Sequence, residues 1–126
     1  MERPFTIDHM NHIVLRVRDL QKSLAFYEML GGDAPRTVAA GMRVGVGAGG
    51  QSIILQERKD YQPAEVGAVD HVNLMIHAAD INQVAAYLRE NGADIASVEE
   101  SRAGPTVNVR DPDGYMLEIR ILRQAS

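Results

Sequence analysis

Three side chains that can bind a divalent metal ion lie in two similar halves of the sequence. His12 begins the stretch His-Ile-Val-Leu-Arg-Val, His71 begins His-Val-Asn-Leu-Met-Ile, and Glu118 lies near the end of the second half. Two imidazoles and one carboxylate leave several coordination positions of an ion open to water and substrate oxygens. These residues are therefore of the kinds that bind metals, and their ligand types suit Mn, Fe, Ni, Co or Zn.

The histidines of the chain differ in how well their positions suit a ligand role. A lone strand histidine is more often a structural residue than a metal ligand, so it is the repeated placement of His12 and His71 that favours them. His9 is an alternative to His12 if the first strand is shifted along the chain. His77 follows its strand and is expected to face water.

The spacing of aspartate and glycine indicates that one module is used twice. Asp19 and Gly31 are twelve residues apart, and so are Asp80 and Gly92. Each pair encloses apolar residues at helical spacing, with the aspartate in the role of N-cap and the glycine ending the helix. A helix is therefore predicted after the first strand of each half.

Alternation of apolar and polar residues predicts the strands around these helices. The predicted strands are residues 12–17, 42–46 and 52–56 in the first half and residues 71–76, 95–98, 106–110 and 115–121 in the second. We predict an α+β fold of two βαβββ modules in tandem. The chain is predicted to be a single domain over residues 1–126, with modules at about 8–60 and 67–123 joined by the linker 61–67.

Polar side chains collect on the strand faces opposite the apolar ones. Beyond the three proposed ligands they are Arg16, Gln56, Asn73, Thr106 and Asn108. We expect the two sheets to curl around a shared polar cavity, in which these residues either bind substrate or simply line the wall. Their donors suit carboxylate, phosphonate or hydroxyl oxygens, and only two Phe and four Tyr exist as stacking platforms. The expected ligand is a small, oxygen-rich anion.

Composition excludes several classes of function. A net charge of −4 argues against a nucleic-acid partner, because neutralising phosphates needs a basic face. The absence of cysteine excludes a thiol nucleophile and a disulfide framework. No apolar run approaches the roughly 20 residues of a membrane helix, and no secretory signal is visible, so no membrane partner and a cytoplasmic location are expected.

Several motifs resemble the vicinal oxygen chelate superfamily, which includes glyoxalase I, fosfomycin-resistance thiol transferases, extradiol dioxygenases and bleomycin-resistance proteins. They are His12 to Leu20, Ser23 to Tyr27, Asp70-His71 and the Asp-Pro-Asp-Gly-Tyr-Met-Leu-Glu stretch that ends at Glu118. The resemblance implies that the paired βαβββ modules form a cup around a metal site. It implies one divalent metal ion per site, held by His12, His71 and Glu118. It also implies a homodimer, and it leaves open whether the site forms within one chain or between two.

The chain departs from particular members of that superfamily. Four residues after Gly50 stands Ile54, whereas four residues after Gly114 stands Glu118. Glyoxalase I has a glutamate at the first of these places, and isoleucine can neither bind a metal nor accept a proton. Residues 99–105 lack the potassium-binding loop of the fosfomycin-resistance enzymes, and most dioxygenases of the family are about twice as long.

These arguments predict a divalent-metal-dependent enzyme in which the ion acts as a Lewis acid on a small, chelating, oxygen-rich substrate, with lyase-like or thiol-transferase-like chemistry. No residue is assigned as general base. Two alternatives remain: an iron-dependent extradiol dioxygenase and a bleomycin-resistance-like binding protein that uses no metal. Retention of all three ligand types favours an enzyme over a metal-free binder.

Overall fold

The computed structural model describes residues 2–63 and 69–122, and contains the element order βαβββ twice. The elements are β1 (His12–Val17), α1 (Leu20–Met29), β2 (Asp33–Val38), β3 (Gly41–Gly45), β4 (Ser52–Glu57), β5 (Val72–Ile76), α2 (Ile81–Glu90), β6 (Asp94–Ser101), β7 (Gly104–Arg110) and β8 (Met116–Ile121). This order confirms the predicted α+β fold with two modules. The chain forms two compact units, Met1–Lys59 and Asp60–Ser126, and much of the predicted linker lies outside the described residues.

Each unit contains one four-stranded sheet with the same topology. The strand orders are β1-β4-β3-β2 in the first unit and β5-β8-β7-β6 in the second. The first strand of each module pairs in parallel with the last, and the remaining pairs are antiparallel. The strand that opens each module, β1 or β5, is therefore an edge strand, and the last strand, β4 or β8, lies inside the sheet.

Both helices begin and end where the sequence predicts. The Asp19 side chain accepts a hydrogen bond from the Lys22 amide at 3.2 Å, and Asp80 accepts one from the Asn82 amide at 2.8 Å. These bonds satisfy amides that have no partner inside the first turn. Gly31 and Gly92 follow the helices with φ values of 103° and 76°, which a residue without Cβ adopts readily.

Apolar and polar residues alternate along the strands, and the apolar ones form the core of each unit. In β1, Leu15 and Val17 are buried while His12 and Arg16 are exposed, and in β8 Leu117 and Ile119 are buried. Helix α1 packs against β3 and β4, and helix α2 packs against β6 and β7. The apolar face of each sheet therefore lies under its own helix, which leaves the opposite face for polar side chains.

Strand β2 was not among the predicted strands, although the βαβββ scheme requires it. Its sequence, Asp-Ala-Pro-Arg-Thr-Val, has no alternating pattern because nearly all of it is exposed at the edge of the sheet. Its pairing with β3 is irregular between Asp33 and Arg36, and Ala34 has a positive φ of 44°. Pro35 is tolerated there because an edge strand needs fewer donors.

The strand pairing confirms the counting from Gly50 and Gly114. Ile54 pairs with Val14, two residues after His12, and Glu118 pairs with Asn73, two residues after His71. Ile54 and Glu118 therefore occupy the same position in their sheets.

Among the described residues, neither ten-residue helix is long and apolar enough to cross a membrane.

Candidate metal centre

His71 and Glu118 come together in the second unit. His71 directly precedes β5, and Glu118 lies on the neighbouring strand β8, so parallel pairing brings the two side chains to one face. The distance between His71 Nε2 and Glu118 Oε2 is 3.6 Å. Two donors bound at about 2.1 Å to one ion at a tetrahedral angle are roughly 3.4 Å apart. The pair therefore fits a shared divalent ion with little movement.

The second carboxylate oxygen of Glu118 is held by two donors. Asn73 Nδ2 donates to Oε1 at 3.0 Å, and the Arg120 guanidinium nitrogen Nη2 lies 2.7 Å from the same oxygen. The Glu118 and Arg120 side chains are only 18% and 21% exposed. A carboxylate at this depth needs such partners, because removing a charge from water without compensation is unfavourable.

Asp70 fixes the ring of His71. Its carboxylate oxygen Oδ2 lies 2.7 Å from His71 Nδ1. This hydrogen bond raises the pKa of His71 above its ordinary value, and the charge of Glu118 acts in the same direction against the effects of burial and Arg120. With Nδ1 bonded to a carboxylate, the neutral ring presents Nε2 as the nitrogen available to an ion, the arrangement usual for a metal-binding histidine.

His12 has a related arrangement in the first unit. Its Nδ1 lies 2.7 Å from Asn11 Oδ1, so Nε2 is again the nitrogen left for an ion. His9 contacts Asp8 through Nδ1 in the same local way, so this feature by itself does not identify a ligand. The pairing of β1 with β4 gives His12 a more specific neighbour, because its pairing partner is Ser52.

Ser52 carries a buried hydroxyl that is unsatisfied. The residue is 3% exposed, and its Oγ has no hydrogen-bond partner among the described residues. Burying such a group typically costs about 1–3 kcal/mol. The side chain shares a sheet face with His12, so a polar atom in need of a partner lies beside the proposed ligand of the first unit.

The donor set fits a divalent ion in part. Imidazole nitrogen and carboxylate oxygen suit Mn, Fe, Ni, Co and Zn, and the geometry of the His71–Glu118 pair is suitable. Within residues 2–63 and 69–122, however, no three His, Cys, Asp or Glu side chains form a group that would hold a metal. His12 lies in the first unit and the other two residues in the second, so the three-ligand set stays a prediction.

The five predicted substrate residues have different environments. Asn73 binds Glu118, and Asn108 donates to Ser97 Oγ at 2.9 Å. Thr106 is buried, donates to the Gly104 carbonyl at 3.0 Å and accepts from Arg120 Nε at 3.1 Å. In the first unit Arg16 and Gln56 are pairing partners, and Gln56 Nε2 donates to the Ala40 carbonyl at 3.2 Å. Their role towards a substrate stays a prediction.

Sequence reasoning did not assign Arg120 or Asp70 to the site. Arg120 stands two residues after Glu118 on an alternating strand, so it shares the face of the proposed ligand. Asp70 precedes a proposed histidine ligand directly. Both signals were visible in the sequence, but neither spacing specifies which atoms meet.

Comparisons with known proteins add family information. Residues 9–119 match the sequence-family model of the Glyoxalase/Bleomycin resistance protein/Dioxygenase superfamily. The glutathione transferase FosA of Serratia marcescens is 27% identical over 116 residues, which cover 91% of this chain and 82% of that protein. The metallothiol transferase FosB of Shouchella clausii is 26% identical over 117 residues, which cover 90% and 80%.

A solved structure is similar along almost the whole chain. The crystal structure of a glyoxalase/dioxygenase from Nostoc punctiforme matches with a TM-score of 0.82 and 24% identity, covering 98% of this chain and 97% of that one. At this identity the likeness supports the fold of two βαβββ modules and carries no conclusion about activity.

Proposed function

We propose, since the chain belongs to the Glyoxalase/Bleomycin resistance protein/Dioxygenase superfamily, that it is a divalent-metal-dependent enzyme acting on a small, oxygen-rich substrate. Members of this superfamily typically use a divalent metal. The proposed ligands are His12 in the first unit and His71 and Glu118 in the second. A divalent ion bound there would supply Lewis-acid polarisation of two substrate oxygens.

The observation that carries the proposal is the approach of His71 Nε2 to Glu118 Oε2 at 3.6 Å. In each side chain the other polar atom is engaged, by Asp70 in one case and by Asn73 and Arg120 in the other. Two potential donors are thereby aimed at one point. In a metal site, one atom of each ligand is free for the ion and the other is held by a supporting residue. An ion pair with a purely structural role does not need this division.

The chain's own residues favour group transfer over isomerisation. Ile54 occupies the position of Glu118 in the other sheet and can neither take up nor release a proton. A reaction that needs a second carboxylate at that place as its base is therefore disfavoured. The relatives named as a glutathione transferase and a metallothiol transferase support transfer of a thiol to the bound substrate.

Metal binding by single-residue variants tests this proposal. The metal-free protein is loaded in turn with Mn, Fe, Ni, Co and Zn, and the affinity is measured by competition with a chelator. Loss of a residue that only hydrogen-bonds a metal ligand weakens metal binding roughly 10–100-fold. We expect His71→Ala and Glu118→Ala to weaken it by more than this. His77→Ala and Glu99→Ala are matched controls, because both residues are exposed and neither is a proposed ligand. Parent-like binding in His71→Ala and Glu118→Ala would exclude this site.

Ligand-induced stabilisation separates the proposed chemistry from the two alternatives. With the metal present, small hydroxy-acids, keto-acids or phosphonates should raise the melting temperature, and a chelator should abolish the effect. Catechols that stabilise the protein more strongly, together with oxygen uptake by the iron form, would support the dioxygenase. Stabilisation by bulky aromatic compounds that persists with a chelator would support the metal-free binding protein.

A further inference from the structure

The Arg120 side chain contacts two other residues of the second sheet. Its Nε donates to Thr106 Oγ1 at 3.1 Å, and its Nη2 lies 2.7 Å from Glu118 Oε1. Thr106 is fully buried and uses its own proton on the Gly104 carbonyl at 3.0 Å, so its oxygen faces Arg120 as an acceptor. The guanidinium is therefore held on one side by β7 while it binds the carboxylate on the other.

This arrangement makes the two oxygens of Glu118 different. Oε1 accepts from both Arg120 and Asn73, whereas Oε2 accepts no hydrogen bond from any residue in the described ranges and lies 3.6 Å from His71 Nε2. An unrestrained carboxylate can bind an ion through either oxygen or through both. Two donors on one oxygen, one of them charged, fix the group against rotation.

We propose that Arg120 is a positioning residue that makes Glu118 bind metal through Oε2 alone. The inference rests on the proposed function, since it concerns the same ion. A carboxylate that binds through one oxygen takes one coordination position and leaves another for the substrate. Arg120 thus favours substrates that chelate through two oxygens, although it does not itself coordinate the ion.

Charge and geometry make opposite predictions for Arg120. As a bare positive charge it would repel a cation, so that its removal would tighten metal binding. As a positioning residue it should weaken binding when lost. Arg120→Lys separates the two effects, because lysine keeps the charge but lacks the planar fork that reaches Thr106 and Glu118 together.

The test is the metal affinity of Arg120→Lys, Thr106→Val and the double variant, measured by chelator competition. We expect roughly tenfold weaker metal binding in Arg120→Lys, in the range typical for loss of a residue that hydrogen-bonds a metal ligand. Thr106→Val should weaken binding less, and the double variant should be no weaker than Arg120→Lys, since Thr106 acts through Arg120. A merely structural effect would instead add in the double variant.

Arg110→Lys is the matched control. Arg110 pairs with Met116 on the same two strands, and its side chain contacts Asp94 at 3.7 Å instead of Glu118. It should bind metal like the parent. Urea unfolding of the metal-free variants checks the fold, and Thr106→Val tests the inference alone if Arg120→Lys does not fold.

The outcomes distinguish this inference from the proposed function. If Arg120→Lys binds metal as tightly as the parent while Glu118→Ala does not, the positioning role is wrong and the metal site stands. Independent, additive losses in the double variant would also overturn the role. If Glu118→Ala and His71→Ala bind like the parent, both the site and the inference fall.

Discussion

The two modules have the same topology but carry different chemistry at the same place in the sheet. In the second unit the row across β5, β8 and β7 is Asn73, Glu118 and Asn108. In the first unit the corresponding row across β1, β4 and β3 is Val14, Ile54 and Arg43. One module presents a carboxylate with its donors, and the other presents a buried isoleucine.

The difference extends to the residues that would support a carboxylate. Asn73 and Arg120 hold Glu118, whereas the matching places in the first unit are Val14 and Gln56. Valine offers no donor, and the Gln56 amide already donates to the Ala40 carbonyl. A buried charge is tolerated only with its partners, so the carboxylate and its partners are present or absent as a set.

The turns before the last strands differ in a similar way. A backbone hydrogen bond joins the ends of each turn, from the Val46 amide to the Gln51 carbonyl at 3.0 Å and from the Asp111 amide to the Tyr115 carbonyl at 2.9 Å. The second turn also contains a bond from the Gly114 amide to the Asp111 carbonyl at 2.9 Å. In the second turn Asp111 Oδ1 also accepts from the amides of Asp113 and Tyr115, each at 2.9 Å. The first turn, Gly-Ala-Gly-Gly, has no side chain able to do this.

Ile54→Glu tests this difference between the two units most directly. Ile54 is 5% exposed, and the Arg43 guanidinium in the same row already donates to the Gly50 carbonyl at 3.1 Å. An ionised glutamate that lacks counterparts of Asn73 and Arg120 should therefore destabilise the metal-free protein by roughly 3–5 kcal/mol. If the side chain reaches the proposed ion, it should also tighten metal binding as a fourth ligand. Urea unfolding and chelator competition measure the two effects.

Adding donors to that variant provides the control. Val14→Asn and Gln56→Arg copy Asn73 and Arg120, and together they should recover part of the stability lost in Ile54→Glu. Equal stability with and without these donors would show that the partners do not decide where the carboxylate is tolerated. Unchanged metal affinity in Ile54→Glu would mean that this position does not face the ion.

Ser52→Ala has a smaller expected effect and the opposite sign. The Ser52 hydroxyl is buried and unsatisfied among the described residues, so its removal should raise the free energy of unfolding of the metal-free protein by about 1 kcal/mol. Ser23→Ala is the control, because Ser23 is equally buried but its hydroxyl is satisfied, and its loss should destabilise. Destabilisation by Ser52→Ala would show that this hydroxyl has a partner in solution.

The smallest expected effect appears only at alkaline pH and concerns the second turn. Burial raises the pKa of Tyr115, and its hydrogen bond to the Tyr61 hydroxyl at 3.3 Å adds to the shift. As the pH passes the unfolded-state value of 10.0, the unfolded chain loses this proton first, so stability falls. Tyr115→Phe should therefore lose less stability than the parent between about pH 9 and pH 11. Parallel curves for the two proteins in urea unfolding would contradict this assignment.

Local patterns in the sequence were enough to predict most of the elements. Asp19 and Asp80 cap their helices because a short polar side chain before an apolar run reaches the first amides. Counting from Gly50 and Gly114 correctly gave Ile54 the position in its sheet that Glu118 has in the other, since a fixed turn fixes the register of the strand that follows. Strand β2 was not predicted because an exposed edge strand has no apolar face, and its sequence therefore shows no alternating pattern.

The sequence by itself determined the repeat, the strand faces and the residue types available for a metal, because these depend on spacing along one chain. Only the tertiary structure decided which atoms are already engaged. It joined Arg120 to Glu118 and Thr106, and it brought Oε2 of Glu118 to within 3.6 Å of His71 Nε2. These contacts cross between strands and depend on register and side-chain conformation, neither of which residue spacing fixes.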